Sequence, residues 1–270
     1  TSMRQDSKGR NALHLAVLLK ADNMIIEYLI RQNTAVNEGD KAGHTPLHYA
    51  VANNVPSVGK VLLANGADIF ITDKQGDSPL KIAFTKQAGR EAWILTNDTV
   101  SAADGSGNTP LHYAASWGMA SIIPYIISRG GNPNVRNSKG ETPLFAAVKT
   151  NNTRMVKALF KAGGSTPLDG SARDLLGNTV LHTAIEWNAE EAAEAVLLQL
   201  GTGAADLLNA KNTAGKTVLH IAAQKGATPF MNLCLAYRAD INTDDATGRT
   251  PLVEAIRYGK ASAALLLLKK

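Results

Sequence analysis

Asp40-Lys41-Ala42-Gly43-His44-Thr45-Pro46-Leu47-His48-Tyr49-Ala50 returns further along the chain as Asp104-Gly105-Ser106-Gly107-Asn108-Thr109-Pro110-Leu111-His112-Tyr113-Ala114, and in looser form at six other places. Each copy reads as the start of a helix. The threonine is a favourable N-cap, whose side chain accepts a bond from an orphan helix N–H, and the proline after it sits where its missing N–H costs nothing. Along the chain the cap slot holds Asn11, Thr45, Ser78, Thr109, Thr142, Thr179, Thr217 and Thr250, with Gly9, Gly43, Gly76, Gly107, Gly140, Gly177, Gly215 and Gly248 two residues earlier. These glycines are spaced 34, 33, 31, 33, 37, 38 and 33 residues apart. A period of that size marks a repeat architecture.

A second apolar-periodic stretch follows each copy, as in Ile25, Ile26, Leu29 and Ile30, or Val58, Val61, Leu62 and Leu63, and commonly ends at an Asn-Gly or Gly-Gly stop such as Asn65-Gly66 or Gly130-Gly131. Each unit therefore supplies two helices, and neither buries its apolar face alone, so neighbours must stack. Ala16, Ala50, Ala83, Ala114, Ala146, Ala184, Ala222 and Ala255 mark where successive inner helices approach closely. The phased T-P-L-H-x-A strings closely resemble the ankyrin repeat family, and the resemblance covers nearly the whole chain. It implies an all-α ankyrin-repeat solenoid of stacked helix-turn-helix units with β-hairpin-like turns. We expect about eight repeats in a single domain over 1–270, at approximately 6–39, 40–72, 73–103, 104–136, 137–173, 174–211, 212–244 and 245–270.

The period breaks in three places. The third unit is short, and Arg90-Glu91-Ala92-Trp93-Ile94-Leu95 reads as a degenerate outer helix and a weak joint, with Trp93 patching its core. The fifth carries an insertion over 163–171 and the sixth is lengthened around Gly201-Thr202-Gly203; both read as loops beyond the outer helices. The run Leu265-Leu266-Leu267-Leu268 reads as a helix left partly uncovered, as in a piece of a longer protein or a self-associating one.

Composition narrows the class. With 44% apolar and 19% charged residues the chain is foldable rather than disordered. Its single cysteine, Cys234, excludes an intrachain disulfide. Nothing assigns a compartment or a source, and the cytoplasm stands only as the default. No apolar run approaches the roughly 18 residues of a membrane span.

Chemistry is sparse. His14, His48, His112, His182 and His220 occupy one slot in different units, too far apart to converge on a zinc ion; the resemblance implies that each bonds to its own cap and to the next turn. Gly215-Lys216-Thr217 lacks the first glycine and the strand of a phosphate loop, and Gly201-Thr202-Gly203 lacks the third glycine of a dinucleotide fingerprint. No phased nucleophile and base occur. The reading is therefore a non-enzymatic scaffold with no cofactor and no small-molecule substrate.

Surface recognition remains. The resemblance implies that partners are gripped by the turn tips and the exposed side of the inner helix. The eighth residue after the cap runs Leu19, Asn53, Lys86, Trp117, Thr150, Trp187, Lys225 and Tyr258, placing a large aromatic in every second unit of the latter half. Such rings are frequent binding hot spots, although they also cover aliphatic surface. The tip and groove slots hold eleven cations against three carboxylates, an excess of eight that six turn-starting aspartates reduce to two. Candidate partner contacts are Trp117, Trp187, Tyr258, His44, Lys41, Lys74, Lys86, Lys139, Lys149, Lys225, Arg249 and Arg257. We expect a partner protein in the concave groove, with an acidic segment drawn to the basic tips. The alternatives are a recruiting module of a larger enzyme or channel, and a basic face for nucleic acid or anionic lipid, for which the chain lacks a dense Lys/Arg run.

Overall fold

A computed structural model describes residues 5–32, 34–86, 89–162 and 166–270. The chain divides into two compact units, Thr1–Ala102 and Ala103–Lys270. In the first, α1 (Ala12–Leu18), α3 (Pro46–Ala52) and α5 (Pro79–Lys86) pack in succession as inner helices, and α2 (Asn23–Arg31), α4 (Pro56–Ala64) and α6 (Arg90–Ile94) do so as outer ones. In the second, the inner row is α7 (Pro110–Ser116), α9 (Pro143–Lys149), α11 (Val180–Glu186), α14 (Val218–Lys225) and α16 (Pro251–Arg257). Its outer row is α8 (Ile123–Ser128), α10 (Thr153–Ala162), α12 (Glu190–Leu200), α15 (Thr228–Ala236) and α17 (Ala261–Leu268). A short helix α13 (Ala204–Leu208) follows α12. Among the described residues no strand forms, and the one isolated bridge joins Arg173 to Thr179.

Each unit opens on the same turn, built by one carboxylate or amide. Asp40 Oδ1 accepts the amides of Ala42 and His44 at 2.9 and 3.0 Å, and Asp6, Asp73, Asp104, Asn137, Asp174, Asn212 and Asp245 repeat the pattern. This is the Asx-type turn that favours Asp and Asn there. Gly43 lies at φ +88°, and a Cβ on it would stand 3.0 Å from Asp73 Cα. The glycine thus provides both a left-handed turn and the close approach of the next turn. Backbone bonds join successive turns, as from Lys74 N–H to the Ala42 carbonyl and from Leu175 N–H to that of Lys139, each within 3.0 Å.

In five units the cap and its histidine then lock one unit to the next, while Lys81 and Val253 stand in the histidine slot of the third and eighth. Nδ1 of His48, His112, His182 and His220 lies 2.8 to 3.0 Å from the hydroxyl of its own cap threonine. Nε2 lies 2.8 to 3.0 Å from a carbonyl of the following turn, on Asp77, Glu141, Lys216 and Arg249. A carbonyl only accepts, so the proton sits on Nε2 and Nδ1 accepts from the cap. The fifth unit departs: Phe145 stands in the histidine slot, and the buried Thr142 hydroxyl has no partner.

The small-residue positions are closed, with Ala50, Ala83, Ala114, Ala184, Ala222 and Ala255 fully buried. In the fifth unit the residue in this register is not Ala146 but Ala147, which is fully buried; Ala146, one place earlier, is half-buried and lines an open hollow. The short third unit does carry a reduced outer helix, α6, of five residues, and the division between the compact units falls just after it. Trp93 fills the space a longer helix would occupy: it is 5% exposed and its indole N–H donates to Asn54 Oδ1 at 3.1 Å. Its ring presses on α4 where Gly59 has no side chain, and a Cβ there would come within 2.2 Å of it.

The sixth unit's lengthening is not a loop. Gly201–Gly203 form a 3₁₀ turn that continues into α13, because Ala204, Leu207 and Leu208 recur on one helical face and bury there. Of the fifth unit's insertion, residues 163–165 lie outside the described residues. Beyond them the chain is fastened: Asn134 donates to the Pro167 carbonyl and accepts the Asp169 amide, both at 2.8 Å. Asn37 holds Gly66 and Asp68 in the same way, so the extra residues precede Asp169 and the register is restored there. In α17, Leu267 is buried, whereas Leu265 and Leu268 are exposed.

Candidate functional site

The inner helices and turn tips of residues 103–270 carry the aromatic candidates Trp117, Trp187 and Tyr258. Between α7, α9 and the end of α11 lies a hollow of about 290 Å³, walled by Tyr113, Glu141, Thr142, Ala146, Lys149 and Trp187 among others. Three local features open it. Ala146 offers no bulk at the slot where Tyr49 and Tyr113 stand in other units. The Lys149 ammonium folds back 2.5 Å from Glu141 Oε1 and 5.8 Å from the centre of the Trp187 ring. Trp187, following the last turn of α11, is 59% exposed. On the opposite wall the Tyr113 hydroxyl donates to Asp104 Oδ2 at 2.6 Å, and Trp117 leans on the Tyr113 ring, tilted by 36° with centres 4.9 Å apart. The hollow thus presents aromatic surface beside a paired lysine and glutamate, a combination suited to clasping a side chain of a peptide segment.

The sequence-derived candidates fall into separate groups. Trp187 and Lys149 meet at the hollow; Trp117 is half-buried behind its wall. Tyr258 lies further along, 46% exposed, with the Arg257 guanidinium 5.6 Å from its ring centre. Lys225 reaches back to Glu186 at 2.7 Å. Arg249 and Arg257 both lie on Glu254. Lys139 is an exposed turn-tip cation. Lys41, Lys74, Lys86 and His44 belong to residues 1–102, where the Lys41 ammonium donates to the Ser7 carbonyl and Lys74 and Lys86 are exposed.

His44, a candidate contact by its place at a turn tip, is held within the turns. Its ring sits between two carboxylates, with Nε2 3.2 Å from Asp73 and Nδ1 3.6 Å from Asp40, and its edge faces His48 and Tyr49. The cation excess is smaller by one, because the slots include Glu141 and Glu186 but not Glu254 on α16. Lys149, Lys216, Lys225, Arg249 and Arg257 are all paired, three of them to the fully buried Glu254, which no slot count included. A signal for it existed. Glu254 occupies the fourth place after its cap, where the other units hold Leu, Tyr, Ile, Ala or Thr.

The ionisable groups favour structure over reaction. Burial holds His14, His48, His112, His182 and His220 below the usual imidazole value, which keeps them neutral cross-links. Burial likewise pushes the Cys234 thiol up to about 12, far from an activated thiolate. Among the described residues no group of three His, Cys, Asp or Glu is placed to hold a metal ion, and no helix is long and apolar enough to cross a membrane.

Stacked helix pairs, aligned turns and an aromatic inner face define a repeat-built protein-interaction module. The family profile for ankyrin repeats, built on three copies, matches residues 1–73, 56–137, 119–207 and 198–270. The chain belongs to the ankyrin repeat family. Human Rabankyrin-5 is 28% identical over 305 aligned residues, covering 98% of this chain and 26% of that protein. The mouse B-cell lymphoma 3 protein homolog is 34% identical over 170 residues, 61% of this chain and 37% of its own length. Human neurogenic locus notch homolog protein 1 is 31% identical over 145 residues, 53% of this chain and 6% of that protein. The chain therefore spans between 6% and 37% of the length of these curated relatives. The family is in general a non-enzymatic interaction module, and none of these relatives is named as an enzyme.

Proposed function

We propose that the chain is an eight-repeat scaffold that holds a segment of a partner protein across the inner helices and turn tips of residues 103–270. The observation that carries this reading is Trp187, whose 59% exposed ring lines the hollow beside the Lys149 ammonium. Trp187 acts as the principal anchor. Trp117 serves indirectly, bracing Tyr113, and Tyr258 offers a second ring further along. The paired cations at Glu141, Glu186 and Glu254 keep the face polar and ordered, so recognition is rigid and preorganised. Acidic residues of the partner segment would compete for those cations, and Lys139 at the turn tip steers them in.

The test is capture from a lysate by wild type and by Trp117→Ala/Trp187→Ala, side by side. A protein retained by wild type and lost, or weakened at least tenfold, with the folded variant is the expected result. Equal retention by both would overturn the reading, as would recovery of nucleic acid or lipid alone. A second role, as the recruiting arm of a longer enzyme or channel, is favoured by the lengths of the relatives; the mass of the native protein in its own cells tests it.

A further inference from the structure

We propose that Lys216, Arg249 and Arg257 form an oxyanion site that takes an Asp or Glu side chain of the partner segment. This rests on the interaction reading above and assigns chemistry to one point of the same face. Glu254, with no exposure at all, is the organising group. Its Oε1 accepts Nη1 of Arg249 at 3.3 Å and Nη1 of Arg257 at 3.0 Å, and its Oε2 accepts Lys216 Nζ at 2.9 Å. Lys216 is fixed further by the Gln224 side-chain oxygen at 2.7 Å. Burial alone would raise the Glu254 carboxyl, and the bonds from Lys216, Arg249 and Arg257 outweigh it, holding the carboxyl below its ordinary value and ionised.

Two features make this more than a buried ion cluster. The first is geometry. Both guanidinium Nη1 atoms touch the same oxygen, so they lie within about 6 Å of each other. Each guanidinium carries five N–H donors in a fixed fork, of which one is used on Glu254. The rest belong to side chains that remain 34% and 46% exposed. Two forks anchored at one oxygen, on side chains that solvent reaches, suit a carboxylate, which pairs with arginine through two parallel bonds.

The second is charge. Three cations surround one carboxylate. Asp245, whose Oδ1 is taken by Thr247 and the Arg249 amide, reduces the excess from two to one when it is counted. The adjoining Lys225 and Glu186 cancel. What flanks the forks selects the occupant: Val253, Ile256 and Tyr258 are 40%, 62% and 46% exposed, which suits an acidic residue with an apolar neighbour better than a phosphate backbone.

Side-chain Nε–H signals of the arginines, followed by NMR, test the site directly. The capped tetrapeptide Glu-Leu-Glu-Leu is titrated in, with Gln-Leu-Gln-Leu and inorganic phosphate as separate arms. The expected result is a saturable shift of Arg249 and Arg257 with the Glu peptide only, and affinity reduced at least tenfold in Arg257→Gln. Glu254→Gln, which removes the negative charge that both forks neutralise, tightens binding; should it fail to fold, Arg257→Gln, on a half-exposed side chain, still decides. No saturable shift, equal shifts of all arginines, or equal response to the Gln peptide overturns the proposal. Phosphate binding tighter than the Glu peptide overturns the carboxylate assignment. Partner capture that depends on Trp117 and Trp187 while these signals stay still removes only this site; the reverse pattern removes the groove reading.

Discussion

Thr109 and Thr142 occupy the same slot in neighbouring repeats and differ by one hydrogen bond. Thr109 Oγ1 lies 3.0 Å from His112 Nδ1, whereas the Thr142 hydroxyl is buried without a partner. A buried hydroxyl without a bond carries its desolvation cost with nothing in return, while one that caps and bonds contributes on the order of 1 kcal/mol. Replacing each by the isosteric valine therefore separates them. Thr109→Val should cost about 1 to 2 kcal/mol in urea unfolding, and Thr142→Val should be neutral or stabilising by up to about 1 kcal/mol. Equal losses would show that the cap, not the histidine bond, sets the value of this slot. Both positions look alike in the repeat pattern; the difference hangs on residue 145, where Phe replaces His.

At the scale of the element, α6 and α13 show what the pattern could and could not convey. The short third repeat was legible because the second apolar stretch is missing from the sequence. The seat of Trp93 was not legible, because it depends on Gly59 in the preceding repeat. Trp93→Ala should destabilise residues 1–102 by about 3 to 5 kcal/mol, read by denaturant unfolding, since it opens a cavity at a helix only five residues long. A cost under about 1 kcal/mol would mean that the ring merely shields the surface. Gly59→Ala should also destabilise, by about 1 to 3 kcal/mol, through overpacking against the same ring. In α13 two nearby glycines read as a loop, yet the burial of Ala204, Leu207 and Leu208 outweighs their cost to helicity. Caps and turns are legible because their chemistry is local. The role of Glu254 is less legible, because its partner Lys216 lies in the turn of the preceding repeat and only stacking brings it alongside.

For the whole molecule, the five cross-linking histidines act in one direction. Each is held by burial below the ordinary value of 6.5. As pH falls below about 6.5 the unfolded chain takes up these protons first, so stability present at neutral pH declines until the lower folded values are passed. Asp40, Asp104 and Asp245, held below the usual carboxylate value of 3.8 by hydrogen bonds that outweigh burial, add a second loss at pH below about 4. The urea midpoint should therefore fall between pH 7.5 and 5.5, above the range in which Asp40, Asp104 and Asp245 add their loss. A midpoint that holds or rises over that interval would contradict the neutral cross-link.

The central claim is that the inner face of residues 103–270 is the surface that holds a partner. Amide hydrogen exchange of the chain, alone and saturated with the captured partner, tests it most directly. The account predicts slowed exchange in peptides covering 104–117, 137–150 and 174–187, where the turns and inner helices wall the hollow. Slowing confined instead to the outer helices α12 and α15, with those three peptides unchanged, would contradict it.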